Sequence, residues 1–166
     1  MKQIILSSKD DYKELEDYFD ENQINNVFVV CTDSIGFLNI NSFFNRISKK
    51  IQVSFFDKFL PNPTYESVVD GIKSFKESKS KIIIAVGGGS AMDVAKCIKL
   101  FSTMNPDENY LSQEIIPNDI TLLAVPTTAG TGSEATKYAV IYYNGEKQSI
   151  TSESIIPEIV LFDSLQ

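Results

Sequence analysis

The sequence contains no histidine and a single arginine, Arg46, among its 166 residues. Without histidine, the chain lacks the means to form a Ser-His-Asp triad, a histidine general base and nearly all common zinc and iron sites. One arginine is too few for a phosphate-binding arginine cluster. Acidic residues outnumber basic ones by 22 to 15, which gives a net charge of −7. This charge excludes a general attraction to nucleic acid or to an anionic membrane surface.

Cysteines and long apolar runs are also scarce. The two cysteines, Cys31 and Cys97, form no Cys-x-x-Cys pair, which excludes a zinc ribbon and a thioredoxin-like redox site. Both lie in apolar runs, so we predict buried free thiols, with a disulfide as the alternative. No apolar run approaches the ~20 residues of a membrane span. The start is polar from Ser7, too early for a signal peptide, so a reducing, cytoplasmic location is expected.

Strand patterns and helix patterns alternate along the chain, and 43% of the residues are apolar. This length and composition predict one domain over residues 1–166. The alternation is typical of an α/β fold with a mostly parallel sheet and helices on both faces. The predicted strands are 3–6, 27–31, 51–56, 81–86, 120–125, 138–143, 147–150 and 159–162, and the predicted helices are 9–19, 41–47, 64–76 and 90–101.

Two features locate a hairpin and the ligand-binding edge of this sheet. Asn144-Gly145 is the dipeptide that most favours a tight turn, so we predict an antiparallel hairpin at one edge of the sheet. In parallel sheets of this class, ligands bind outside the carboxyl ends of the strands. Any chemistry is therefore predicted in the loops that follow Cys31, Val86 and Val125.

A glycine-rich turn follows Val86. It reads Gly87-Gly88-Gly89-Ser90, and a helix is predicted from Ser90. Glycines let the backbone turn sharply and approach a ligand closely, and the start of the next helix offers free N–H groups to a phosphate. Ser90 and Asp93 have the spacing of a capping box. The turn is neither a Walker A loop nor a G-x-G-x-x-G fingerprint, since Met92 replaces the third glycine, and a plain strand-to-helix turn is the alternative.

A loop rich in hydroxyl groups and glycine follows Val125. It reads Pro126-Thr127-Thr128-Ala129-Gly130-Thr131-Gly132-Ser133-Glu134. At the carboxyl end of a strand, its hydroxyls and amides can surround ribose hydroxyls, a phosphate or a polarised amide. The alternative is a loop that only caps a helix beginning near Ser133.

Two charged side chains are further candidates. Asp33 lies just past Cys31, where a carboxylate can accept hydrogen bonds from a ribose diol and repel a 2′-phosphate, which favours NAD over NADP. A turn-initiating aspartate is an equal alternative, since Asp33-Ser34-Ile35-Gly36 has the composition of a turn. Lys147, after the hairpin turn, could reach a phosphate or a ribose, although most lysines are only solvated.

Three segments, taken in order, resemble the amino-terminal half of the iron-containing, group III, alcohol dehydrogenases. They are Pro61-Asn62-Pro63-Thr64, Ile84-Ala85-Val86-Gly87-Gly88-Gly89-Ser90-Ala91-Met92-Asp93-Val94-Ala95-Lys96, and residues 126–134. The combination is specific, although each piece alone is not. The resemblance covers residues 27–163 and implies a Rossmann-like domain that binds NAD(P) across the glycine turn.

The resemblance implies roles for individual residues. Residues 87–90 would hold the pyrophosphate, the threonines would line the nicotinamide–ribose end, Asp33 would bind the adenosine ribose, and Lys147 would reach a ribose. The cofactor would be NAD, with NADP less favoured, and no catalytic residue or metal ligand is expected in this chain. The implied cofactor-binding residues are Asp33, Gly87, Gly88, Gly89, Ser90, Asp93, Thr127, Thr128, Thr131 and Lys147.

The resemblance also implies parts that this sequence lacks. Family members bind iron or zinc through one aspartate and three histidines of a helical C-terminal domain, and Asp163 lies at the strand end before that domain. We therefore expect the dinucleotide-binding half of a metal-dependent enzyme that transfers a hydride between NAD(P)(H) and a small alcohol or aldehyde. This half alone is expected to be inactive. The alternatives are a non-catalytic nucleotide-binding module and one half of a split enzyme.

Two finer expectations concern the substrate and self-association. Residues 133–142 with the following Asn-Gly hairpin are similar to phosphonoacetaldehyde reductases of this family, which implies a small phosphonate aldehyde as substrate. Removal of a packed domain would leave an apolar face around Ile155, Ile156 and Leu161. A homo-oligomer that forms through this face or through an edge strand is therefore expected.

Overall fold

The computed structural model describes residues 2–127 and 132–163, and each predicted strand and helix is present, with small shifts at the ends. The strands are β1 (Ile4–Ser7), β2 (Asn26–Cys31), β3 (Gln52–Phe56), β4 (Ile82–Gly87), β5 (Thr121–Pro126), β6 (Tyr138–Tyr143), β7 (Glu146–Thr151) and β8 (Ile159–Phe162). The helices are α1 (Lys9–Glu21), α2 (Asn39–Ile47), α3 (Tyr65–Ser78) and α4 (Gly89–Phe101). Within the described ranges, no helix has the length and apolar character to cross a bilayer.

Six of the strands form one parallel sheet, as predicted, and their order in the sheet is β1-β8-β5-β4-β2-β3. The chain leaves β2 toward β3 on one side, and it leaves β4 toward β5 on the other side. The gap between the carboxyl ends of β2 and β4 is therefore the point at which the strand order reverses. In open α/β sheets, this point is the usual position of a ligand.

Alternate side chains of the central strands face two separate layers of the core. On β4, Ile83 and Ala85 face the layer that contains α3, α4 and the hairpin. Ile82, Ile84 and Val86 face the layer that contains α1 and α2. The strand is apolar throughout because helices cover both faces of the sheet, as predicted. Each fully buried leucine, isoleucine or phenylalanine contributes roughly 1.5–3 kcal/mol to stability.

The two cysteines lie in opposite layers of this core. Cys31 contacts the layer with α1 and α2, and Cys97 contacts the layer with α3 and α4. Both thiols are free and buried, as predicted, and burial raises the pKa of each. Because the sheet separates them, the two thiols do not form a disulfide.

Helix α1 begins with an irregular turn. Asp10, Asp11 and Tyr12 have φ angles of 55°, 57° and 64°, a region that residues other than glycine rarely adopt. Burial of Tyr12 offsets this strain: its ring centroid lies 5.4 Å from that of Phe43, and its hydroxyl donates to the carboxylate of Asp163. Burial and that carboxylate both raise the pKa of Tyr12. The start of α1 is thereby attached to the end of β8.

The hairpin of β6 and β7 forms as predicted, but its predicted position at an edge of the main sheet is wrong. The two strands form a sheet of their own. Ala139, Ile141 and Ile150 of the hairpin are buried in the same layer as α4. The amide of Tyr142 also donates to the carbonyl of Pro63 at 3.0 Å. The hairpin buries its apolar face against a helix, which leaves β1 and β3 as the edges of the main sheet.

The predicted exposed apolar face around Ile155, Ile156 and Leu161 is also wrong. Ile155 and Leu161 are completely buried, and Ile156 is only partly exposed. Leu161 is buried because β8 lies inside the sheet, between β1 and β5, and faces the layer of α1 and α2. The exposed apolar side chains near this end of the sheet instead include Ile4 and Ile5 of edge strand β1 and Phe162 of β8.

Candidate functional site

The carboxyl ends of three adjacent strands are level with one another. Cys31 pairs with Val86, and Val86 pairs with Val125, so β2, β4 and β5 end in line. The three loops in which chemistry was predicted therefore leave the same edge of the sheet side by side. The first two of these loops flank the point at which the strand order reverses.

The turn after β4 requires glycine at its first position. Gly87 is the last residue of β4, and its φ of +149° is a conformation that residues with a side chain rarely adopt. A Cβ atom at this position would lie 3.0 Å from the Cβ of Ala91, in the first turn of α4. Glycine thus lets α4 begin directly against the strand, so the start of the helix lies at the sheet edge.

Helix α4 begins without a side-chain cap. Gly88 is the N-cap residue and has an extended conformation, and no side chain accepts a hydrogen bond from the first turn. The amides at the helix start therefore keep their capacity to bind an anion. The predicted capping box of Ser90 and Asp93 is wrong. Because the helix begins before Ser90, Asp93 lies beyond the first turn and does not reach back to the helix start.

The threonine loop begins beside the glycine turn. The amide of Thr127 donates to the carbonyl of Gly87 at 3.1 Å, which joins the ends of β5 and β4. The predicted ligands Thr128 and Thr131 lie outside the described residues. After the loop, Ser133–Ala135 forms one turn of 3₁₀ helix that leads to β6.

Asp33 and Lys147 lie in different surroundings. Asp33 is exposed in a 3₁₀ segment directly after β2, which places it at the same edge as the glycine turn, one strand away. Lys147 is exposed on β7 and pairs with Tyr142 across the hairpin. Among the contacts of residues 2–127 and 132–163, none joins Lys147 to the glycine turn. Its role at a cofactor stays a prediction.

The carboxylate of Asp93 is directed into the protein. It accepts a hydrogen bond from the amide of Val140 on β6. Burial raises its pKa from 3.8 to about 6, although this hydrogen bond and nearby Lys96 both favour the charged form. Asp93 thus attaches the hairpin to α4, and its contact with a cofactor stays a prediction.

A buried lysine that was not predicted as a site residue lies next along α4. Lys96 is completely buried. Its Nζ atom lies 2.7 Å from the carbonyl oxygen of Ser133, 3.0 Å from Oγ1 of Thr136 and 2.9 Å from the carbonyl oxygen of Tyr138. Burial lowers the pKa of this ammonium group, and Asp93 opposes that shift. The sequence does carry a signal, because a lysine inside an apolar helix requires polar partners.

Two clefts of similar size lie at opposite edges of the sheet. One, of about 450 Å³, is formed by residues 57–64 and Ser67 after β3, at the edge that carries Asp33. It includes Asn62, whose φ is +59°. The other, of about 460 Å³, lies at the amino ends of β2, β4 and β5. Neither of these two clefts includes the glycine turn.

A sequence model of one protein family, described as iron-containing alcohol dehydrogenase, matches residues 3–164. The chain belongs to the iron-containing alcohol dehydrogenases. The family resemblance of its three motifs is thereby confirmed, and the match extends it toward the amino terminus.

Several iron-containing alcohol dehydrogenases and similar proteins align with most of this chain. Alcohol dehydrogenase 4 of Saccharomyces cerevisiae is 30% identical over an alignment of 162 positions, and the match covers 91% of this chain and 41% of the yeast protein. The 1-propanol dehydrogenase PduQ of Salmonella typhimurium is 32% identical over an alignment of 143 positions, and the match covers 82% of this chain and 35% of that protein.

Solved structures show the same fold. A sulfoacetaldehyde reductase of Bifidobacterium kashiwanohense in complex with NAD+ matches with a TM-score of 0.85 at 24% identity. The match covers 97% of this chain and 44% of the reductase. The chain thus spans less than half the length of these relatives.

The iron in the family's name does not fit the residues of this chain alone. Within the described ranges, no group of three or more histidine, cysteine, aspartate or glutamate side chains could hold a metal ion. The whole sequence also lacks histidine. No chemical step in this chain is therefore assigned to a metal.

We predict that Asp93→Asn is stabilising at neutral pH. An asparagine can still accept the hydrogen bond of Val140, but it carries no charge that burial disfavours. The pKa of Asp93 is raised from 3.8 to about 6 on folding. The contribution of this carboxyl group to the stability of the wild-type chain is therefore complete below pH 3.8. The wild-type chain loses roughly 2–3 kcal/mol of that stability as the pH rises through 6.

Urea unfolding of both chains between pH 4 and 7.5 measures this effect. The free energy of unfolding of Asp93→Asn minus that of the wild type should increase with pH across this interval. A constant difference, or one that decreases with pH, would show that burial does not disfavour the charged form of Asp93.

Proposed function

We propose that this chain binds NAD(H) at the carboxyl edge of its parallel sheet, as the dinucleotide-binding part of an alcohol dehydrogenase. The observation that carries this proposal is the uncapped start of α4 behind the glycine turn, level with the ends of β2 and β5. A helix start without a side-chain cap, at the reversal point of a parallel sheet, is suited to a dinucleotide.

The pyrophosphate would bind at residues 87–90. The amides of the first turn of α4 are not used by a side-chain cap, and no acidic residue lies in that turn. A helix start carries about half a positive elementary charge, which favours an anion. The chain is acidic as a whole, so this local field supplies attraction that the net charge does not.

Asp33 would bind the adenosine ribose. It is exposed at the end of β2, directly across the reversal point from the glycine turn. Its carboxylate can accept hydrogen bonds from both ribose hydroxyls, and it would repel the extra phosphate of NADP. The cleft formed by residues 57–64 lies beside it and would leave room for the adenine.

The nicotinamide end would lie at the threonine loop. Thr127 is bonded to the glycine turn, and Thr128, Thr131 and Lys147 are proposed as further contacts. There the nicotinamide would exchange a hydride with a small alcohol or aldehyde, which the chain's residues would orient. The similarity of residues 133–142 to phosphonoacetaldehyde reductases makes a phosphonate aldehyde the specific candidate.

Self-association through β1 is proposed in addition. Within the described residues, strand β1 pairs with β8 on one side only, and no strand covers its other side, although the amide of Ser7 donates to Oε1 of Glu14 at 3.3 Å. Its side chains Ile4 and Ile5 are 51% and 56% exposed. A second copy of the same edge would pair the backbone and cover these side chains. The buried free thiols fit a reducing, cytoplasmic location.

Gly89→Val is expected to weaken NADH binding roughly tenfold or more, because its side chain would stand where the pyrophosphate approaches the helix start. Apart from its chain neighbours and the backbone of its own helix, a Cβ atom at Gly89 meets no atom of the described residues within 4 Å, so the fold should be preserved. Isothermal titration calorimetry with NADH measures the affinity, and thermal unfolding verifies the fold.

The matched control for this variant is Glu77→Val. It adds the same side chain at an exposed position in the last turn of α3, at the opposite edge of the sheet. It should bind NADH like the wild type. The proposed function would be contradicted if the folded wild-type chain bound no NADH, and the proposed site would be contradicted if Gly89→Val bound as tightly as the control.

Asp33→Asn is expected to reduce the preference for NADH over NADPH roughly tenfold, since it weakens the bonds to the ribose and removes the repulsion of the 2′-phosphate. The preference is the ratio of the two dissociation constants in paired titrations. Asp20→Asn makes the same change of charge at an exposed position in the last turn of α1 and should leave the ratio unchanged. An equal change in both variants would rule out Asp33 as the selecting residue.

Ile5→Lys is expected to convert a dimer of the chain to a monomer, because it places a charge on the proposed pairing edge. Ile116→Lys, at an exposed apolar residue outside β1, is the control and should remain dimeric. Size-exclusion chromatography with light scattering measures the mass. A monomeric wild-type chain at high concentration, or a dimeric Ile5→Lys, would overturn this proposal.

A further inference from the structure

The ammonium group of Lys96 donates all its hydrogen bonds to one short segment of the chain. Its Nζ atom contacts the carbonyl oxygens of Ser133 and Tyr138 at 2.7 and 2.9 Å, and Oγ1 of Thr136 at 3.0 Å. The hydroxyl of Ser133 lies further away, at 3.4 Å. The three protons of the ammonium group are thus used, and every acceptor belongs to residues 133–138.

This arrangement does not serve packing alone. The side chain of Lys96 is completely buried, and an apolar side chain of similar length would fill the same space without the cost of removing a charge from water. No carboxylate lies within hydrogen-bonding distance of its Nζ among the described residues. The acceptors are neutral oxygens. The lysine therefore fixes the positions of these oxygens relative to α4.

The segment that Lys96 holds is the exit of the threonine loop. Residues 133–138 follow that loop directly and lead into β6. At the entry of the loop, the amide of Thr127 is bonded to the carbonyl of Gly87. The loop is therefore attached at its entry to the glycine turn and at its exit to α4, the helix that the same turn begins.

Lys96 thereby connects the two ends of the proposed cofactor site. It lies seven residues along α4 from Gly89, about 10 Å at 1.5 Å per residue. A change in the position of residues 133–138 would move the exit of the threonine loop relative to the helix start. The pyrophosphate would keep its partners, whereas the nicotinamide ribose would lose the correct spacing.

We propose that Lys96 is a positioning residue that sets the distance between residues 133–138, at the exit of the threonine loop, and the glycine turn, and so selects for the intact dinucleotide over its adenosine half. This proposal rests on the proposed function. In this proposal, the start of α4 supplies the affinity for the pyrophosphate. The affinity for the nicotinamide end depends on the buried ammonium group of Lys96.

Lys96→Met tests the proposal, since methionine keeps the approximate length of the side chain and removes its charge. The probes are NADH and ADP, which contains only the adenosine and its two phosphates. In calorimetric titrations, the variant should bind NADH roughly tenfold more weakly than the wild type, while its ADP affinity changes less than about twofold.

The matched control is Lys99→Met on the same helix. Lys99 is also buried, but its Nζ atom contacts the carbonyl oxygen of Ile120 at 2.6 Å and Oε1 of Glu158 at 2.8 Å, at the amino end of β5. Its loss should reduce thermal stability without changing the ratio of the NADH and ADP affinities. The same change of ratio in both lysine variants would overturn the proposal, because it would then reflect general loosening.

Further outcomes separate this proposal from the proposed function. If the wild-type chain binds neither ligand, the proposed function fails, and with it the basis of this inference. If the wild type binds both, and Lys96→Met loses both equally or neither, only the role of Lys96 is overturned. If Lys96→Met does not fold, Thr136→Val decides, because it removes one acceptor and should change the same ratio in the same direction by a smaller factor.

Discussion

The enclosure of α4 is the constraint on which the candidate site depends. The parallel sheet lies on one side of this helix and the hairpin of β6 and β7 on the other, so nearly every residue from Ala91 to the end of the helix is buried. A helix that is packed on both sides has little freedom to shift or rotate. Its first turn therefore stays at the carboxyl edge of the sheet, and the amides of that turn are fixed before any ligand arrives. Preorganisation of this kind lowers the entropy that a ligand loses on binding.

The enclosure of α4 has a cost in free energy, because it buries two charged side chains, Lys96 and Lys99. Each is buried, and each attaches α4 to a different part of the chain. A buried charge is weak support for stability, because its removal from water opposes what its partners contribute. It does specify geometry, since an ammonium group tolerates few other arrangements of its acceptors. The helix is thus held along its length by packing and at defined points by hydrogen bonds.

Local sequence patterns predicted the strands, the helices and the hairpin. The position of the hairpin and the register of the strands depend on contacts between elements that are distant in the sequence. Asn144-Gly145 specifies a hairpin because the turn needs only its own residues, but the position of that hairpin depends on α4, which no local pattern contains. Ser90 and Asp93 had the spacing of a cap, yet the glycines before them let the helix begin earlier. The strand ends at Cys31, Val86 and Val125 were predictable, since a buried strand stops where its apolar run stops. Their level alignment rests on a register that one sequence does not reveal.

The order of the strands has a consequence for the chain as it is made. Ile4 pairs with Ile159, and β1 has no other neighbour in the described sheet. During synthesis, β1 therefore leaves the ribosome some 155 residues before its partner β8. In the meantime, the central strands can pair and bury their apolar faces, whereas β1 remains an apolar segment without its partner strand. Such long-range closure slows folding and exposes the nascent chain to aggregation. Completion of the sheet is thus a late event, set by the emergence of β8 rather than by the formation of the site at β2, β4 and β5.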